Sequence, residues 1–396
     1  MLFSIFLVVF IDLLGFSLIL PLLPFYAETF GASPVIIGLL VAAYAAAQFI
    51  GAPILGRLSD RYGRKPLLLA SIFGSFLGFL LLGLARSLWV IFLARILDGV
   101  TGGNISVAQA YISDVTDEKN RARGFGLIGA AFGLGFIIGP ALGGFLSQWG
   151  YSNPAFVAAG LSSINFLSIV LWLPESLTSQ RRAEIQKANR PPFTLNALWQ
   201  ALRRPLVGPL LHSRFFYGMA FSTFQSIFTL YAQYRFGLDS QRTGYVLAYV
   251  GLLSVLTQGF VIGRLDKRFS EKNLLLAGCS MLAVSFLGWA FAPSIPLLLV
   301  IMVPISLSGG ILNTVINSAL TKAVNPVEIG GMLGLSASLE SITRVIAPSM
   351  AGVLLESIGT AAPGIFSSIL MLALTSYVWR FIIRPHLATL TTNPVR

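Results

Sequence analysis

Five ionisable residues stand deep inside stretches that are otherwise apolar: Asp12, Arg95, Asp98, Glu340 and Arg344. Such a group at the centre of a bilayer costs about 2.5–3.5 kcal/mol or more on insertion scales, so it is expected to face a wet cavity or a partner. Arg95 and Asp98 are three residues apart, and Glu340 and Arg344 four apart. Both spacings bring the side chains together on one face of a helix. Asp12 is left without a sequence-local partner. A carboxyl that exchanges a proton in a low-dielectric setting is what a proton carrier needs, and Asp12 is the candidate. The two ion pairs suit either a helix-packing role or a role in lowering the cost of switching charge states. Arg214 stands close enough to the end of its run to snorkel towards the interface.

Uncharged polar residues in the same runs are candidates for binding a solute. They are Gln48, Asn104, Gln225, Asn313 and Asn317, with Phe16 and Phe228 as aromatic neighbours. Interhelical hydrogen bonding would account for the amides equally well. Asn313 and Asn317 are one helical turn apart and share a face, and Gln225 sits among Phe221, Phe224 and Phe228, which favours a cavity for these three.

Two further motifs carry glycine. Gly56-Arg57-Leu58-Ser59-Asp60-Arg61-Tyr62-Gly63-Arg64-Lys65 places one acid, two glycines and four cations in ten residues between apolar runs. A helix, a tight two-glycine turn and a second helix fit that pattern. Asp60, Arg61, Arg64 and Lys65 make a charged latch there, with Asp114 a candidate partner for Arg64 and the stretch near Gly330-Gly331 a candidate dock for Asp60, where a helix N-terminus favours an anion. In Gly135-Phe136-Ile137-Ile138-Gly139-Pro140-Ala141-Leu142-Gly143-Gly144, glycines four apart allow close backbone approach, and Pro140 removes one hydrogen bond and is expected to bend the helix.

The elements that must position these residues are membrane helices. Of 396 residues, 55% are hydrophobic and 11% charged, against roughly 25% charged in soluble domains, and the mean hydropathy is +0.80. Twelve apolar runs of about twenty residues, the length that crosses roughly 30 Å of hydrocarbon, fall near 2–26, 35–57, 66–85, 88–113, 122–147, 154–174, 209–234, 243–264, 273–292, 295–320, 329–355 and 361–383. The first reads as a retained helix, with no basic segment before it and no small-residue cleavage site after it. The net charge of +12 is no nucleic-acid signal, because the cations lie in short loops and form no continuous face. With the 57–65 connection placed in the cytoplasm, that side takes 21 Lys and Arg residues and the other side Arg86, Arg235 and Arg242 only. This positive-inside bias puts both termini in the cytoplasm. The single Cys279 and two histidines form no disulfide framework or metal cluster, no nucleophile–base set is visible, and no cofactor is called for.

The two halves repeat. Leu55-Gly56-Arg57-Leu58 matches Ile262-Gly263-Arg264-Leu265, Thr101-Gly102-Gly103 matches Ser308-Gly309-Gly310, and Gly139-Pro140 matches Ala347-Pro348, all at offsets of 207 or 208. The domain reading is a six-helix bundle at 1–175, a cytoplasmic linker at 176–208, a second bundle at 209–385 and a tail at 386–396. Parallel repeats of this kind are a transporter architecture.

The chain resembles twelve-helix members of the major facilitator superfamily, and its first half, from about 8 to 177, is similar to the tetracycline-efflux group of drug:proton antiporters. Gly56 to Lys65 fits the superfamily's loop motif, Arg95 with Gly99 fits R-x-x-Q-G, and Gly135 to Gly144 fits the antiporter motif G-x-x-x-G-P-x-x-G-G. Asp12-Leu13-Leu14-Gly15 with Pro21 and Pro24, and Pro174-Glu175-Ser176, resemble further signatures of the group. Asp98 replaces the glutamine of the pattern, and the ninth run, Ala277 to Ala290, lacks the aspartate that tetracycline-efflux sequences carry there. The resemblance implies an all-α membrane protein of two pseudo-symmetric bundles. It also implies a monomeric, proton-driven exporter of small amphipathic molecules in the cell's inner membrane, partnered by substrate, protons and lipid. A proton-linked nutrient or organic-anion symporter and a non-transporting receptor or scaffold are the alternatives.

Overall fold

The structure is a computed structural model that describes residues 2–178, 182, 195–325 and 328–384, side chains excepted at 118–119, 121–122 and 195–197. The linker cations Arg181, Lys187 and Arg190 and the tail 386–396 lie outside the described residues, as do the side chains of Lys119 and Arg121. Among the described residues every regular element is a helix, and there is no strand. Helices α1 (Leu2–Ile19), α2 (Leu23–Glu28), α3 (Pro34–Tyr62), α4 (Arg64–Gly83), α5 (Leu88–Thr101), α6 (Asn104–Val115), α7 (Glu118–Leu146) and α8 (Ser152–Trp172) precede the linker. After it come α9 (Leu195–Arg203), α10 (Gly208–Phe236), α11 (Ser240–Leu256), α12 (Ile262–Arg268), α13 (Glu271–Ala290), α14 (Ile295–Lys322), α15 (Ile329–Ser357) and α16 (Ala362–Val378). A chain in hydrocarbon must satisfy its backbone groups internally, which leaves the helix as the available form for these runs.

Ten described stretches are long and apolar enough to cross a membrane. The other two predicted spans, α10 and α15, are 29 residues each and of membrane length, but they carry Arg214, Glu340 and Arg344. Large apolar side chains such as Trp89, Leu171, Val284 and Ile369 are exposed, as a lipid-facing surface requires. The protein is a multi-pass membrane protein.

Several runs are not the single helices that hydropathy suggests. The first breaks after Ile19, and the fourth breaks at Gly102-Gly103 between α5 and α6. The matching Ser308-Gly309-Gly310 stays inside continuous α14. There Tyr217 Oη donates to the Gly309 carbonyl at 3.0 Å, whereas the Gly102 carbonyl is taken by Gln48 Nε2 at 3.1 Å. A π-helical turn, Thr257–Val261, interrupts the eighth run, and the linker contains α9. The expected two-glycine turn at 56–63 is a one-glycine turn. Helix α3 runs on to Tyr62, and Gly63 alone, at φ +110°, reverses the chain. Only glycine takes that backbone conformation readily.

The chain forms two compact units, 1–191 with 232–252, and 192–231 with 253–396. In the first, α1 lies against α7 and α8, α4 against α5 and α8, and α3 against α5. Ile5, Val8, Leu68, Ile72, Tyr111 and Ile112 fill its core. The segment 232–252 joins this unit for a physical reason. Gly244 and Gly251 let α11 close on the α7 backbone at Pro140 and Phe136, and Ser240 and Ser147 share a 2.7 Å hydrogen bond. In the second unit α13 packs on α14 and α16, around an aromatic cluster of Phe224, Phe228, Phe286 and Trp289.

Candidate functional site

The first unit gathers its intramembrane charges at the α5–α6 break. Arg95 Nη1 and Asp98 Oδ2 are 2.8 Å apart on one face of α5, both buried. Ser75 adds a hydrogen bond to Asp98. The Arg95 guanidinium lies over the Tyr44 ring, 4.1 Å from its centroid, with the Phe16 ring 5.9 Å away. Cation–π contact of this kind holds the cation where water is scarce. Asp12 is not alone. Asn104, the first residue of α6, donates from Nδ2 to Asp12 Oδ2. The break at Gly102-Gly103 is what turns the start of α6 towards α1. Gln48 bonds both Tyr44 Oη and the Gly102 carbonyl at 3.1 Å. Of the predicted solute contacts, Phe16, Gln48 and Asn104 therefore come together with Asp12, Arg95 and Asp98.

The second unit builds a different cluster. Glu340 Oε1 accepts from Arg344 Nη2 at 2.5 Å, one turn along α15. Its other oxygen, Oε2, pairs with Arg214 of α10. Arg214 also donates from Nη1 to Asn313 Oδ1 of α14 at 2.7 Å. Arg214 does not snorkel: it is buried, because Glu340 and Asn313 draw the guanidinium inward. Asn317 lies one turn on, 3.5 Å from Ser336 Oγ. Gln225 is exposed, and Phe228 is sealed in the aromatic cluster beside Phe224, so neither meets Arg214. The signal for Arg214 was available in the sequence, since a cation within an apolar run calls for a partner, but the partner lies 126 residues away.

At the α3–α4 turn, Arg64 is buried and multiply held. Nη1 is 2.7 Å from Asp60 and 2.6 Å from Ser59 Oγ, and Nε is 2.9 Å from Asp114 Oδ2. Ser176 Oγ also donates to Asp114. Lys65 Nζ turns to the Val170 carbonyl at 2.9 Å. The sequence places Glu175 in the Pro174-Glu175-Ser176 signature but gives it no role. Its carboxylate accepts from the backbone N–H of Arg64 at 2.9 Å and Lys65 at 3.1 Å, where the first amides of α4 lack partners and the helix dipole favours an anion. A Cβ at Gly63 would strike that carboxylate.

The glycine motif on α7 has two packing faces. Gly135, Gly139 and Gly143 meet Leu13, Ser17 and Leu18 of α1, and Ser17 Oγ donates to the Gly135 carbonyl at 2.8 Å. Pro140 and Gly144 meet α11 at Gly244 and Gln241. Pro140 sits inside α7 without ending it. No group of His, Cys, Asp and Glu among the described residues has a metal-binding arrangement.

Membrane-length helices enclosing paired charges define a multi-pass transporter. The family profile of the Major Facilitator Superfamily matches residues 5–335 and 210–395, and the chain belongs to that superfamily. It is 34% identical over 355 residues to the Escherichia coli tetracycline resistance protein, class B, covering 87% of this chain and 86% of that one. It is 30% identical to mouse solute carrier family 22 member 18, covering 91% and 90%. The similarity thus extends well beyond the first half. Among solved structures, the human organic anion transporter MFSD10 (TETRAN) superposes with a TM-score of 0.71 at 23% identity, covering 95% of this chain and 98% of that one. The nucleoside transporter NupG gives 0.81 at 14% identity, covering 96% and 99%. Both show the fold.

Proposed function

We propose that this transporter is a proton-coupled antiporter that exports small amphipathic, drug-like molecules by alternating access. One observation carries the reading. The charged cluster of the first unit holds two carboxyls, the half-buried Asp12 and the buried Asp98, against one buried guanidinium, Arg95. It is neutral only when one carboxyl carries a proton, and the uncharged amide of Asn104 leaves Asp12 free to be that one. Loading and unloading a proton then changes the cluster's net charge, which is the lever a coupled carrier needs. Arg95 pairs with Asp98, while Asp12 has only the Asn104 amide at its carboxylate, so we assign the exchangeable proton to Asp12. The tetracycline resistance relatives support a drug-like substrate class.

The moving bodies are the six-helix bundles 1–175 and 209–385, joined by the linker 176–208 and followed by the tail 386–396, and α11, which packs with the first unit at 232–252, is the part that must slide. The transporter acts as a monomer in the cell's inner membrane, with both termini cytoplasmic, an orientation supported by the asymmetry of Lys and Arg between alternate connections. Asp60, Arg61, Arg64, Lys65 and Asp114 act as a latch at the cytoplasmic end, with Gly56 and Gly63 in the motif that carries it. Phe16, Gln48, Asn104, Gln225, Asn313 and Asn317 are the proposed solute contacts, and Phe228, enclosed in its aromatic cluster, would act only from behind them.

The test is substrate-induced proton movement in inverted vesicles, screening cationic dyes, tetracyclines and fluoroquinolones beside Asp12→Asn. Proton release from acidified vesicles that the variant abolishes supports antiport through Asp12. No response to any compound, with folded protein confirmed, sinks the reading and favours symport.

A further inference from the structure

The charged cluster of the second unit has the opposite imbalance. Arg214 and Arg344 both bind the one carboxylate of Glu340, and Asn313 contributes only an acceptor oxygen to Arg214. One positive charge is therefore left over inside an apolar helical bundle, where uncompensated charge is costly. The cluster is also short of acceptors. Arg214 is 5% exposed, and its Nε, likewise buried, has no hydrogen-bond partner. At its other end the cluster is open, with Glu340 30% and Arg344 57% exposed and Asn313 exposed too. Next to it on α10 stand the buried Tyr217, its hydroxyl on the Gly309 carbonyl, and the half-buried Phe221, ring centroids 5.6 Å apart, so a charged end adjoins an aromatic one.

We propose that this cluster is a binding site for the anionic group, a carboxylate or its equivalent, of an amphipathic aromatic solute. The anion supplies the missing negative charge. It docks on Arg344 from the open side, in competition with Glu340 for that guanidinium, while Arg214 stays fixed by Glu340 and Asn313. Charge-assisted bonds to a planar guanidinium are the strong class of hydrogen bond and select carboxylate geometry. The aromatic body of the solute lies along the half-buried Phe221, which Tyr217 backs from within. The proposal deepens the antiport reading by naming the substrate as acidic, and its test is separate from proton flux.

The experiment is equilibrium binding of three isosteric probes to the purified full-length protein in detergent: 2-naphthoate, 2-naphthamide and 2-naphthylmethylammonium. The acid is expected to bind at least tenfold more tightly than the amide, and the ammonium more weakly still. Arg344→Gln, at the exposed arm, should remove the preference for the acid and leave amide affinity unchanged. Glu340→Gln, checked for folding by size exclusion, should tighten the acid by removing its competitor. Equal binding of acid and amide, no binding of any probe, or an acid preference that survives Arg344→Gln overturns the proposal. Acid binding without coupled proton movement would leave this site standing and sink antiport. Proton movement driven by cations alone would do the reverse.

Discussion

The Nε of Arg64 lies 2.9 Å from the Asp114 carboxylate, joining the first residue of α4 to the end of α6 across 50 residues of chain. Both side chains are almost fully enclosed, and Asp60 and Ser59 bind the remaining edge of the same guanidinium. Arg64 thus ties α3, α4 and α6 together.

Removing it strands the buried Asp114 carboxylate. Arg64→Ala is expected to destabilise the protein by about 3–5 kcal/mol, the usual cost of breaking an enclosed ion pair from one side. Arg64→Lys should recover part of this, because a point charge satisfies one carboxylate but cannot span three acceptors. Thermal unfolding in detergent reads both, and an unchanged midpoint for Arg64→Ala would refute the assignment.

Glu175 should matter locally and modestly. Glu175→Gln keeps the shape and removes the charge that faces the N-terminus of α4, costing about 0.3–1 kcal/mol. Hydrogen exchange at the Arg64 and Lys65 amides, which donate to this carboxylate, should quicken while the middle of α4 stays protected.

The α7 glycines offer an internal control. A side chain at Gly143 would meet the Leu18 carbonyl of α1, whereas nothing lies within 4 Å of one at Gly129. Gly143→Val is expected to cost at least about 1–3 kcal/mol through overpacking and to lower the yield of monodisperse protein. Gly129→Ala should leave yield and thermal midpoint unchanged, with fluorescence-detected size exclusion as the assay.

A surface pair gives a pH prediction with a definite sign. Glu328 accepts from Arg204 Nη1 and Nη2 at 3.2 and 3.1 Å, and that hydrogen bonding holds its carboxyl below its ordinary value of 4.5. A carboxylate depressed on folding stabilises the protein above its unfolded pKa, and the contribution is lost as pH falls through the folded one. The thermal midpoints of the protein and Glu328→Gln should therefore differ at neutral pH and converge in acid below that value. High salt should also narrow the gap, because both partners are exposed. A gap that widens in acid would contradict the pairing.

Much of this was legible in one dimension. Hydropathy runs gave the helical membrane fold, the i,i+3 and i,i+4 spacings gave Arg95–Asp98 and Glu340–Arg344, and the charged decapeptide pointed to Arg64 and Asp114. Three things were not. Asp12 meets Asn104 from a helix 92 residues on, Arg214 meets Glu340 at 126, and Glu175 reaches the start of α4 at 111. Spacing rules are silent at such distances. The broken helix at Gly102-Gly103 was equally hidden, since its repeat partner Ser308-Gly309-Gly310 stays helical.

The sequence by itself determined which segments enter lipid, that the chain is a duplicated bundle, and which charges must be accounted for inside it. These follow from local composition and helical periodicity, which act over a few turns. Only the tertiary structure decided how the charges are shared: two acids to one cation around Asp12, two cations to one acid around Glu340. That division depends on which helix faces which, and helix facing is set by side-chain packing between segments a hundred residues apart.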